Sequence, residues 1–315
     1  METKAVIINK YGSKDVLEEG TVTLPELGAH QVLVREKATS INPIDWKLRE
    51  GYLQQMFDWE FPITVGWDVA GIIEEVGSEV TDWKVGDEIF ARPDTTRFGT
   101  YAEYTIVDDH LLAKKPTALS FEEAAAVPLA GMTAYQGLFD HGDLKAGEKV
   151  LIHAGAGGVG TFAIQLAKEA GAYVYTTASE KNHELLESLG ADEVIDYRTT
   201  DFRDVVGKVD LVLDTMGGEV EKHSFDVVKE NTGRLISVVG QPDEEKAKEK
   251  NVVAKSIWLN PDGKQLSKIG DLLQAKKIKS IVGSTFPLTR QGVYDAHELS
   301  ETHHAVGKIV LKVEE

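Results

Sequence analysis

A chain of 315 residues with 42% hydrophobic and 27% charged side chains has the composition of an ordinary globular protein and the length of about two domains. Its 34 basic against 52 acidic residues give a formal charge of −18, which opposes any partnership with nucleic-acid phosphates. The absence of cysteine excludes disulfides, thiolate metal sites and cysteine nucleophiles together.

The opening Met1-Glu2-Thr3-Lys4-Ala5-Val6 lacks the apolar stretch of an export signal, so the expected location is cytoplasmic. From there to about residue 119, short β-like runs at 5–8, 31–38, 72–76, 88–91 and 101–107 are punctuated by Gly12, Pro25, Gly28, Gly51, Gly66, Gly77 and Gly86. This pattern predicts an antiparallel, partly closed β unit.

After Ser120 the rhythm changes to strands alternating with helices, which predicts a doubly wound parallel sheet. Strands are expected at 150–154, 173–177, 193–196, 210–214 and 234–239. Helices are expected at 161–170, stopping at Gly171, and at 180–189, stopping at Gly190. Residues 150–167 carry no charged side chain, but four glycines in their middle favour strand, loop and helix over a membrane span. Further on, 244–250 reads as an exposed Lys/Glu-rich loop, 252–259 as an edge strand and 262–275 as a helix. The final run, 307–313, reads as a strand with no helix after it, expected to rejoin the first unit. The division that follows is a β domain of residues 1–122 and 277–315 interrupted by a dinucleotide domain of residues 123–276.

Gly155-Ala156-Gly157-Gly158-Val159-Gly160 satisfies G-x-G-x-x-G directly after a predicted strand and at the opening of a predicted helix. In that context the first Gly permits the tight turn, the second lets the backbone approach a pyrophosphate and the third lets helix and strand pack closely. The free N–H groups and dipole of the helix N-terminus favour the anion. The sequence thus predicts a dinucleotide bound by Gly155, Gly157, Gly158, Val159 and Gly160.

The ordered series Ser40-Ile41-Asn42-Pro43-Ile44-Asp45, Gly66-Trp67-Asp68-Val69-Ala70-Gly71, Val85-Gly86-Asp87, Ala130-Gly131-Met132-Thr133-Ala134-Tyr135, the glycine loop, Asp214-Thr215-Met216-Gly217-Gly218 and Gly307-Lys308-Ile309-Val310 resembles the zinc-free, zeta-crystallin-like quinone oxidoreductases of the medium-chain dehydrogenase/reductase superfamily. The resemblance implies an α/β fold in which a GroES-like β domain carries an inserted Rossmann domain, with hydride transfer in the cleft. It also implies a homodimer, often joined through Rossmann edge strands; with the charge and the glycine-broken apolar stretch, the expected partner is a small-molecule substrate, with neither nucleic acid nor a membrane. By position it puts Asn42 near the nicotinamide, Thr133 at the cofactor and the backbone of Val239 and Gly240 beside the dinucleotide. Ser179 and Lys181 face the 2′-phosphate of NADPH in this reading, with Tyr197 packed near it. Glu180, 20 residues past Gly160, has the spacing of an NAD-binding acid but is expected to point to solvent.

Structural alternatives stand beside these roles. Asn42 before Pro43 also suits a helix start, Asp45 and Thr133 suit helix caps, and Asp68 suits a structural role. Six aromatics, Trp46, Tyr52, Phe57, Trp59, Phe61 and Trp67, are crowded into 22 residues and either line an apolar substrate pocket or fill the core. Of these Tyr52 alone has a hydroxyl able to donate a proton or orient a carbonyl, so it joins Asn42 as a candidate catalytic residue. Gly66-Trp67-Asp68 stands where zinc-dependent relatives have Gly-His-Glu, and His297, His303 and His304 read as surface residues. The expected activity is zinc-independent, NADPH-dependent transfer of hydride to a quinone or an α,β-unsaturated carbonyl. The alternatives are a non-catalytic, crystallin-like NADPH-binding protein and an enoyl thioester reductase.

Overall fold

A computed structural model describes residues 1–314. Among these described residues sixteen strands run in chain order: β1 Glu2–Ile8, β2 Leu17–Thr23, β3 Gln31–Ser40, β4 Ile63–Thr64, β5 Val69–Val76, β6 Glu88–Ala91, β7 Tyr104–Asp108, β8 Leu112–Lys114, β9 Lys149–Ile152, β10 Tyr173–Ala178, β11 Glu193–Asp196, β12 Leu211–Asp214, β13 Arg234–Ser237, β14 Val253–Ser256, β15 Val282–Pro287 and β16 Lys308–Lys312. They divide between two compact units, one of residues 1–129, 261–276 and the chain from Ser280 onward, the other of residues 130–260 and 277–279.

The first unit holds two sheets, β2-β1-β4 and the larger β15-β16-β3-β5-β6-β8, with β7 also paired to β3. The period-2 alternation of β3 turns Val32 and Val34 into one core with Val69, Ile73, Ile89 and Val107. The other core gathers Ile8, Leu17, Leu48, Ile63, Trp67, Tyr101, Val293 and Leu311. β16 pairs antiparallel with β3, Val310 opposite Ser40, so the last strand does rejoin the N-terminal unit. Strand β2 escapes the sequence pattern because Glu18, Glu19 and Gly20 interrupt it, and it is held by pairing along the full length of β1.

The second unit is one parallel sheet in the order β11-β10-β9-β12-β13-β14, the doubly wound arrangement in which the first strand is central. Its inner strands are covered on both faces, so Val150, Leu151 and Ile152 and then Leu211, Val212 and Leu213 are wholly buried in unbroken runs. β14 forms the outer edge, within the expected 252–259 segment, with Val253 half exposed.

Two expectations need correction. The piece 244–250 is a helix, Glu244–Lys250, with no buried residue; Asp243 accepts from the N–H of Lys246 at its start and Asn251, at φ 51°, ends it. Its charge mixture marks a wholly solvated helix, which has no apolar period to read. The second domain junction also moves, because helix Gly263–Gln274 belongs to the first unit. Its apolar face of Leu266, Ile269 and Leu273 packs on β8, and a periodicity cannot say which sheet it will cover.

The alternation of β3 also carries Glu36 to the Val34 face, where it is 1% exposed and neither carboxyl oxygen finds a hydrogen-bond partner. Burial pushes its carboxyl well above the usual carboxylate range. The folded state therefore keeps a proton that the unfolded chain gives up above about pH 4.3, and stability falls as pH rises through that window. Glu36→Gln is expected to narrow the difference in Tm between pH 5 and pH 8. An unchanged difference in thermal melts of the two proteins would show that Glu36 is ionised or solvated.

Candidate active site

The loop after β9 is tied to its neighbour strand. Thr177 Oγ1 on β10 accepts from the N–H of Ala154 at 3.1 Å, and the Thr177 carbonyl accepts from the N–H of Gly155 at 3.0 Å. A Cβ on Gly155 would lie 2.1 Å from Thr176 Oγ1, and one on Gly160 would lie 2.5 Å from the Ala154 carbonyl. These two glycines are required by the protein's own packing. Gly157 differs: its φ of −76° and ψ of 173° suit any residue, and a Cβ there would meet only the Ala154 oxygen, at 3.4 Å.

Gly157 is also the N-cap of helix Gly158–Glu169, and no side chain caps that helix. The other 12-residue helices are capped, Gly263–Gln274 by Asp262 and Arg290–Glu301 by Thr289. The uncapped first turn leaves backbone N–H groups without intrahelical partners, beside space that a Cβ would begin to fill. The loop therefore fits the pyrophosphate of a dinucleotide.

The remaining cofactor candidates of this unit follow the carboxyl ends of its parallel strands, the edge at which ligands bind such sheets. Ser179, after β10, is 9% exposed and its Oγ accepts from Asn182 Nδ2 at 3.2 Å. Lys181 and Glu180 are both exposed. Tyr197, after β11, is 54% exposed, so it is not a core aromatic. Beside it Arg198, which belongs to none of the sequence motifs, is held by both oxygens of Asp196 at 3.1 Å. Val239 and Gly240 follow β13 and are exposed, and Val239 covers Gly217. Thr133 is buried within helix Pro128–Tyr135, so it does not cap a helix. Behind the loop, burial depresses His153 to about 4, and its neutral ring bonds Ser224 Oγ at 2.8 Å.

In the first unit Asn42 precedes helix Pro43–Arg49. Its backbone N–H donates to Asp45 Oδ2 at 2.8 Å, and its carbonyl accepts from the Asp45 N–H, so Asp45 rather than the Asn42 side chain does the capping. The side chain is thereby free to bond elsewhere. Nδ2 donates to Asp68 Oδ2 at 2.8 Å, and Oδ1 accepts from Lys308 Nζ. Asp45 Oδ2 also accepts from Tyr101 Oη at 2.8 Å. Burial raises the Asp45 carboxyl to about 7, against the lowering effect of these donors.

His297 is wholly buried, which corrects its reading as a surface residue. Burial and the Arg49 charge lower it to about 3. Arg49 Nη1, which can only donate, lies 2.8 Å from Nδ1 and so fixes the proton on Nε2, 3.1 Å from Tyr101 Oη. Among the described residues no three His, Asp or Glu side chains are grouped to hold a metal ion.

The aromatic cluster divides. Trp67 is wholly buried, with Phe57 and Trp59 packed against its core, so these three rings fill the β unit. Tyr52 stands apart on the turn after helix Pro43–Arg49, 70% exposed, and the structure does not join it to the Asn42 network. The grip on the Asn42 side chain was missed in the sequence because Asp68 and Lys308 lie 26 and 266 residues away from it.

Residues 28–117 match the alcohol dehydrogenase GroES-like domain, and residues 189–311 match the family model described as zinc-binding dehydrogenase. The 2-methylene-furan-3-one reductase of Solanum lycopersicum is 39% identical, over 98% of this chain and 79% of its own. The chloroplastic NADPH-dependent alkenal/one oxidoreductase of Arabidopsis thaliana is 36% identical over the same shares. The structure of a quinone oxidoreductase from Coxiella burnetii covers 100% of both chains at 36% identity, with a TM-score of 0.93. A nested parallel sheet, an uncapped glycine loop and relatives of this similarity across the chain make one conclusion: the protein belongs to the medium-chain dehydrogenase/reductase superfamily, in its zeta-crystallin-like quinone oxidoreductase branch.

Proposed function

We propose that this protein transfers hydride from NADPH to a quinone or an α,β-unsaturated carbonyl without a catalytic zinc. The observation that carries the reading is Gly157, a glycine that the protein's own packing does not demand, at the uncapped start of a helix. The names of the tomato and Arabidopsis relatives support the acceptor class and the cofactor.

When bound, NADPH supplies the hydride. The loop amides and the dipole of helix Gly158–Glu169 hold its pyrophosphate, while Lys181 and Ser179 receive the 2′-phosphate. Asn42 offers an amide at the nicotinamide end. A sequence without thiolate ligands provides no zinc of the dehydrogenase kind to polarise a carbonyl, so the acceptor must spread negative charge by conjugation.

Loss of NADPH absorbance with benzoquinone or hexenal, insensitive to a chelator, is the expected result, with no oxidation of ethanol. Turnover of ethanol alone, or stoichiometric zinc whose removal abolishes activity, would overturn the reading. Binding of NADPH without turnover on any quinone, enal or enoyl thioester would mark a non-catalytic dinucleotide-binding protein.

Gly157→Ala is expected to melt close to wild type yet bind NADPH on the order of tenfold more weakly, because its Cβ occupies the approach to the pyrophosphate. Gly160→Ala is expected to lose stability as well, since its Cβ meets backbone at 2.5 Å. Melting curves alongside titrations with NADPH separate the two effects, and unweakened binding by Gly157→Ala would count against the loop as the pyrophosphate site.

Lys181→Ala tests the 2′-phosphate assignment. It is expected to weaken NADPH on the order of tenfold while NADH binding stays nearly constant. Equal losses for both cofactors, or tighter NADH binding by the unmodified protein, would reverse the cofactor preference.

A further inference from the structure

Asn42 is 2% exposed, and nearly all of its hydrogen-bonding capacity is accounted for within the first unit. Its backbone N–H and carbonyl are taken by Asp45. Of its side chain, Oδ1 accepts from Lys308 and one Nδ2 hydrogen goes to Asp68. One Nδ2 hydrogen and one lone pair of Oδ1 remain.

The two groups that grip the amide leave it one orientation. An ammonium can only donate and a carboxylate can only accept, so turning the amide over would set donor against donor and acceptor against acceptor. Both groups are themselves fixed. Lys308 is 4% exposed and also donates to the Ile41 carbonyl at 2.8 Å, while wholly buried Asp68 accepts from Ser40 Oγ at 2.7 Å and from the Leu129 N–H at 2.8 Å. Lys308 and Asp68 approach to 3.6 Å. Burial of the pair lowers the ammonium pKa, with the two carboxylates Asp68 and Asp45 opposing that fall. Buried ion pairs are often no more stabilising than the apolar residues that could replace them, so this one calls for a purpose beyond stability.

We propose that Lys308 and Asp68 are positioning residues for the hydride-transfer reaction: they act through Asn42, fixing its amide so that the remaining Nδ2 hydrogen is the donor offered to the nicotinamide end of NADPH. This rests on the proposed function, in which Asn42 serves the reacting centre. The ammonium supplies the grip on the carbonyl oxygen and the carboxylate the grip on the nitrogen. Neither touches the reactants in this scheme.

Full-length Asn42→Ala, Lys308→Met, Asp68→Asn, the double variant Asn42→Ala/Lys308→Met and the uncharged double variant Lys308→Met/Asp68→Asn carry the test. Hydride transfer is measured in single turnovers with whichever of benzoquinone or hexenal reacts faster, beside the dissociation constant for NADPH and the melting temperature. Lys308→Met and Asp68→Asn are each expected to slow transfer by about tenfold or more, with the NADPH dissociation constant changed by less than about threefold. In the Asn42→Ala background Lys308→Met is expected to cost no further rate, although its loss of melting temperature persists. A purely structural role would move stability without that non-additivity in rate. Wild-type rates in Lys308→Met and Asp68→Asn, or losses that multiply with Asn42→Ala, would overturn the proposal while leaving Asn42 in its role. A wild-type rate in Asn42→Ala would instead remove the reading on which the proposal depends, and the proposal with it. If Lys308→Met fails to fold, the uncharged double variant is judged by the same rate criterion.

Discussion

A carboxylate shut away from water has to collect its hydrogen bonds from the protein, and Asp68 collects them from widely separated parts of the chain. Ser40 reaches it from the end of β3, Asn42 from the start of helix Pro43–Arg49, the Leu129 amide from the start of helix Pro128–Tyr135, and Lys308 lies close by on β16. An unpaired charge at this depth would cost several kcal/mol, so the elements that bring these donors must all dock together. The arrangement also frees Asn42 for its side-chain contacts, because Asp45 has taken over the capping of the helix. A second chain, His297 to Tyr101 to Asp45, braces that cap from helix Arg290–Glu301.

In the parallel-sheet unit the controlling constraint is close approach rather than charge. Gly155 and Gly160 are needed so that strand, loop and helix can touch, and only then does the helix N-terminus face the carboxyl edge of the sheet at Gly157. Gly155 and Gly160 are thus explained by the fold itself, whereas Gly157 is not.

What could be read in the sequence followed the range of the interactions involved. The parallel sheet, the glycine loop and the returning last strand are written in local runs: Val150 to Ile152 before the glycines, Leu211 to Leu213 as a buried strand, Ile309 to Leu311 at the end. Helix Glu244–Lys250 was not legible because it buries nothing, and helix Gly263–Gln274 was legible as a helix but not as a partner of β8. At the site, Asn42 could be singled out through its motif, whereas its grip by Asp68 and Lys308 depends on contacts across 26 and 266 residues of sequence. No period or spacing announces such a contact. The reading of His297 failed for the same reason, since Arg49 lies 248 residues away.

β16 carries a consequence for how the molecule is made. The strand that pairs with β3 and delivers Lys308 is synthesised after the whole parallel-sheet unit, whose residues 130–260 form a continuous stretch. On the ribosome, therefore, the inner unit can close first, while β3 waits with one neighbour missing and Asp68 without its counter-ion. The order of translation makes this earlier-made strand one of the last to reach its final form, and during that interval the flank of β3 that β16 will cover is an open sheet edge.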